Sequence, residues 1–104
     1  MINFLDETKA ELASNGKNIF DVLWYGTEEF VISNDIQQLF YFDYDDGFGG
    51  TEIPEELIIV GKDWWMERHE YDGSEWWEFK EMPVKPEIEK SAGSLIKFKF
   101  KGLQ

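Results

Sequence analysis

A chain of 104 residues with 42% hydrophobic and 17% aromatic side chains can bury one core but not two, so a single domain over 1–104 is expected and intrinsic disorder is excluded. The chain has no cysteine, which removes disulfides, thiolate metal sites and cysteine nucleophiles. Twenty-two acids against ten bases give a net charge of −12, the wrong sign for direct nucleic-acid binding, where affinity comes from basic groups releasing counterions.

The charge is unevenly spread. Residues 21–81 hold seventeen acids and three bases, a balance of −14, whereas residues 90–104 hold four lysines and no acid. A basic protein partner, such as a nucleic-acid-binding protein, fits this pattern. The opening MINFLDETKAEL lacks a basic n-region and an apolar h-region, and no apolar run approaches the roughly 18 residues of a membrane span. A cytoplasmic protein without a membrane partner is expected.

In chain order, residues 3–14 place Phe4, Leu5 and Leu12 on one stripe, with Asp6 and Glu7 early and Asn15-Gly16 as a stop, which predicts a helix. The apolar patch Ile19 to Trp24 suits either a helical turn or the start of a strand. Phe30 to Ile32 reads as a short strand. A Ser33 or Asn34 cap, then Asp35 and the helical spacing of Ile36, Leu39 and Phe40, predicts a second helix. The run DYDDGFGG, 43–50, reads as a loop extending through Pro54.

Leu57 to Val60 is a continuous apolar run that predicts a strand buried on both faces. Residues 64–71 and 75–81 then flank Asp72-Gly73, a type I′ signal for a two-residue hairpin loop. Met82-Pro-Val-Lys-Pro ends the hairpin in an extended connection. SLIKFKFK, 94–101, alternates apolar residues with lysines, as an edge strand would. The expected fold is α+β: two short helices packed on an antiparallel sheet of four or five strands with a Trp-rich hairpin.

A two-residue loop at Asp72-Gly73 puts His69 opposite Trp76, Arg68 opposite Trp77 and Met66 opposite Phe79. Alternation assigns Trp65, Glu67, His69, Tyr71, Trp76 and Glu78 to one face. The other face takes Trp64, Met66, Arg68, Glu70, Glu75, Trp77 and Phe79. The second face is the better core candidate, with Arg68 stacked on Trp77; a one-residue slip would exchange the two. Rings on the first face either cover the sheet's backbone or form a contact surface, and the two roles are compatible. As a contact surface the face, together with Asp43, Asp45 and Asp46, has the composition of a protein-binding patch: aromatic anchors within a carboxylate rim.

Catalytic signatures are weak. His69 is the single histidine, so no zinc constellation is recognisable, and no serine lies in a nucleophile elbow. From Asp43, a calcium-loop alignment puts Phe48 at the invariant glycine and Pro54 at the bidentate position. Weak calcium binding over 43–52 stays open, but no metal or cofactor site is expected. The glycines of GFGG lie among aspartates that repel phosphate, so they read as a turn.

ISNDIQQLFYFDYDDGFGG followed by LIIVGKDWWMERHEYDGSEWWEF resembles a group of short uncharacterised proteins of phages and prophages of Gram-positive bacteria, which implies a phage setting and no known activity. IPEELIIVG with the tryptophan-rich hairpin is also similar to the core of the SMI1/KNR4-like immunity proteins, which implies toxin binding. The leading expectation is a small acidic non-enzymatic binding protein, an inhibitor whose carboxylates imitate phosphates on a basic partner. The alternatives are a small metal-dependent hydrolase using Asp43, Asp45, Asp46 and His69, and a structural or assembly component of a phage particle.

Overall fold

The computed structural model describes residues 1–45 and 52–91. Strand β1 (Ile2–Asn3) runs directly into helix α1 (Phe4–Ser14), where the Asn3 side chain accepts from the Asp6 N–H at 3.1 Å. Asp6 and Glu7 place negative charge in the first turn, where the helix dipole favours it. The helix ends with Gly16 N–H donating to Ala13 and Lys17 N–H to Leu12, which satisfies its last carbonyls. Its buried stripe is Phe4, Leu5, Thr8 and Leu12. Each of the three apolar members contributes about 1.5–3 kcal/mol on burial.

The patch at 19–24 resolves into one 3₁₀ turn (Ile19–Asp21), capped by Asn18, followed by strand β2 (Trp24–Gly26). The strand expected at 30–32 is reduced to a single bridge, Gly26 with Val31. The second helix is much shorter than expected: α2 spans Ile36–Leu39, and its cap is Asp35. The chain leaves the helix there because Phe40 is needed in the core. Its ring lies 4.6 Å from Phe4 and 5.3 Å from Tyr25, and the Phe42 carbonyl accepts the Phe4 N–H.

Part of the expected loop is instead strand β3 (Asp43–Tyr44), which pairs antiparallel with β1 through Ile2↔Tyr44 and Asn3↔Asp43. Tertiary pairing has overridden the turn composition there. The main sheet is antiparallel in the order β2–β4–β5–β6, with β4 (Ile58–Val60), β5 (Trp64–Tyr71) and β6 (Ser74–Glu81). The fold is α+β: among the described residues there are a four-stranded antiparallel sheet, a two-stranded one and two α-helices. On β4, Ile59 is fully buried while Ile58 and Val60 are half-buried, so that strand is enclosed on one face only.

The hairpin has the expected register, with His69↔Trp76, Arg68↔Trp77 and Met66↔Phe79. Asp72 and Gly73 both take positive φ, 53° and 87°, as a type I′ turn demands. The core lies between α1 and the sheet face carrying Tyr25, Ile59, Met66 and Trp77, with Phe4 stacked on Trp77 at 5.6 Å. The strand expected at 94–101 and its lysines lie outside the described residues.

Candidate functional site

The register places Trp24, Val60, Trp65 and Lys80 in one row across the outer face of the main sheet. Gly26, Ile58, Glu67 and Glu78 form the next row, followed by His69 with Trp76 and then Tyr71 with Ser74. Helix α1 packs on the opposite face. Tyr71 is 76% exposed and Trp76 36%, so rings stand in solvent here. The hairpin residues Trp65, Glu67, His69, Tyr71, Trp76 and Glu78 therefore share one face.

Glu67 and Glu78 face each other directly, an arrangement that by itself is destabilising. Their neighbours offset it. Trp65 Nε1 donates to Glu67 at 3.1 Å, and Trp76 Nε1 donates to Glu78 at 3.2 Å. His69 Nε2 lies 2.9 Å from Glu67 and 3.6 Å from Glu78, and Lys80 Nζ lies 3.4 Å from Glu67. The hydrogen bond with His69, aided by Trp65 and Lys80 and opposed by partial burial, holds the Glu67 carboxyl below its usual range. The result is a pair of facing carboxylates, each accepting an indole N–H from the ring beside it.

Beneath this surface is a polar cluster that sequence reasoning missed. Arg68 stacks on Trp77 as expected, and its side chain is also buried, only 2% exposed. Its Nη1 lies 3.0 Å from Glu7 and its Nη2 lies 3.2 Å from Glu75. Nη2 also donates to the Tyr44 hydroxyl at 3.1 Å, and that hydroxyl donates to Glu7. The guanidinium sits 4.9 Å from the Trp77 ring centre and 5.1 Å from that of Phe4. Burial alone would lower the Arg68 pKa, but the Tyr44 hydrogen bond and the Glu7 charge outweigh it and raise it. The available signal was Arg68 and Glu75 alternating onto the same face as Met66 and Trp77, two charges on a core face that each needed a partner.

Asp43 does not join the aromatic face. Asp43 is exposed on β3, where Asn3 Nδ2 donates to it at 3.2 Å. Its neighbour Tyr44 reaches Arg68 from the core side, so the main sheet lies between Asp43 and His69. The Asp45 N–H donates to Glu52 at 3.1 Å, and the N–H groups of Glu52 and Ile53 donate to Glu75. Asp46, the GFGG turn and most of the compared calcium loop lie outside the described residues. Among the described residues no three His, Asp or Glu side chains converge in an arrangement that could hold a metal ion.

Two open clefts border the hairpin. One, of about 810 Å³, lies between the turn after β2, the segment before β4 and residues 67–69; the other, of about 670 Å³, lies between α1 and β6. No helix among the described residues is long and apolar enough to cross a membrane. No protein-family model, curated protein or solved structure matches the chain.

Proposed function

We propose that the protein is a small acidic, non-enzymatic binding protein of phage or prophage origin, an inhibitor that occupies a basic, nucleic-acid-binding surface of a protein partner in the host cytoplasm. The observation that carries this reading is the outer sheet face, where Trp65 and Trp76 donate to the carboxylates of Glu67 and Glu78 and Tyr71 stands exposed on the same face nearer the turn. Indole and phenol rings supply area that is desolvated on contact at little entropic cost. Fixed carboxylates supply the charge that a phosphate-binding surface selects. The net charge of −12 extends the attraction beyond the patch and steers association at low salt.

Capture from host lysate at low and moderate salt tests this, with a Trp65→Ala/Trp76→Ala chain and an Asp43→Asn/Asp45→Asn chain in parallel. A basic nucleic-acid-binding protein retained by the parent, lost by the tryptophan variant and displaced by added nucleic acid is the expected result. Retention equal in the parent and the tryptophan variant would remove the sheet face from the interface.

A further inference from the structure

Strand β4 pairs with β5 only at residues 65–67, whereas β6 stays paired with β5 as far as Tyr71. Residues 68–71 of β5 therefore have no strand on their β4 side among the described residues. The pair flanking a two-residue hairpin turn is hydrogen-bonded, and bonding direction alternates along a strand. Tyr71 and His69 thus turn their peptide groups towards β6, and Arg68 and Glu70 turn theirs outward. Trp64, in phase with Arg68 and Glu70, accepts from the Gly61 N–H at 2.9 Å on the outward side, as this alternation requires.

The larger cleft lies against this open edge. Glu28, Glu29, Glu55, Glu56 and Glu67 line it, while Phe30, 58% exposed, adds an apolar wall. Arg68 also lines it, and its buried Nε has no acceptor among the described residues. We infer that this edge takes up an extended, lysine- or arginine-rich segment of a protein partner as an added strand. The segment's backbone completes the outward peptide groups of Arg68 and Glu70, alternate basic side chains enter among the glutamates, and an apolar side chain rests on Phe30. Charge complementarity selects this occupant: an acidic strand would meet five carboxylates. The inference rests on the proposed function for the basic character of the partner and adds the mode of binding.

The test uses the full chain and an octapeptide alternating lysine with valine, capped at both ends, followed by calorimetry and amide hydrogen exchange. The peptide should bind, slow exchange at the Arg68 and Glu70 amides, and leave His69, already bonded to β6, unchanged. A glutamate-for-lysine peptide should not bind. The E28Q/E29Q/E55Q/E56Q chain, altered at four exposed positions, should bind about tenfold or more weakly. No binding, binding without protection of Arg68 and Glu70, or binding indifferent to the four glutamines overturns the inference. If the peptide fails while a basic protein is still captured through Trp65 and Trp76, the added strand falls and the proposed function stands. If the peptide binds as described but no basic protein is captured, the proposed function falls alone.

Discussion

Arg68 and Glu75 form a buried diagonal pair across the hairpin, with Nη2 3.2 Å from Oε1 and side chains 2% and 1% exposed. Glu75 also accepts the N–H groups of Glu52 at 2.8 Å and Ile53 at 3.0 Å, so the same carboxylate tethers the segment leading to β4. Arg68 reaches Glu7 on α1 with its other arm. One guanidinium thereby joins helix, hairpin and both sheets.

Truncating Arg68 to Ala should lower unfolding free energy by about 3–5 kcal/mol, because Glu75 is left buried without its counter-charge. Arg68→Lys should recover little, since one ammonium cannot span Glu7, Tyr44 and Glu75 as the planar fork does. Urea titrations of the two variants against the parent measure this. A lysine variant of parental stability would show that charge alone, and not the fork, holds the cluster.

Thr8 accepts from Trp77 Nε1 at 2.9 Å and donates to the Phe4 carbonyl at 2.7 Å, and both side chains are buried. Thr8→Val keeps the shape but orphans the indole N–H, so stability should fall by about 1–3 kcal/mol. Thr8→Ser, which keeps the hydroxyl, should lose less. Equal midpoints for valine and serine would contradict the bond's contribution.

Tyr44 gives the protein an alkaline limit. Burial, then the hydrogen bond to Glu7, pushes its pKa well above the ordinary phenol value of 10.0 despite the lowering effect of Arg68. The folded state therefore holds the phenol proton more tightly than the unfolded state. That stabilisation is complete below pH 10.0 and is lost as pH rises through the folded value. Unfolding free energy measured from pH 9 upward should decline in the parent, with a shallower decline in Tyr44→Phe. Parallel slopes would remove Tyr44 as the cause.

Gly61 lies under the Trp64 indole: a Cβ there would meet Trp64 Cε2 at 2.0 Å. Trp64 is 4% exposed and stacks on Phe79 at 5.6 Å, so it has little room to retreat. Gly61→Ala should destabilise by about 1–3 kcal/mol through overpacking and shift the tryptophan fluorescence. An unchanged spectrum and midpoint would mean that the ring moves without penalty.

Trp76 stands on the outer face, 36% exposed, with its indole N–H on Glu78. Trp76→Ala should change stability by less than about 1 kcal/mol, yet weaken capture of a basic partner by tenfold or more if Trp76 is an anchor. Thermal melts beside binding titrations separate the two effects.

The sequence by itself determined the hairpin and the alternation along each of its strands, because a two-residue Asp-Gly turn and a period of two are properties of neighbouring residues; that no one-residue slip exchanges the two faces was decided by the structure. It determined α1 for the same reason, through Asp6, Glu7 and the Phe4, Leu5, Leu12 stripe. The shared face of Trp65, Glu67, His69, Tyr71, Trp76 and Glu78 followed from alternation alone. Only the tertiary structure decided that β3 pairs with β1, that α2 stops so that Phe40 can pack on Phe4, and that Asp43 lies across the sheet from His69. It also decided that Arg68 is buried between Glu7, 61 positions away, and Glu75. The physical reason is range: turn type and side-chain alternation are set within a few bonds, whereas burying a charge is tolerable only where distant groups converge to replace its water.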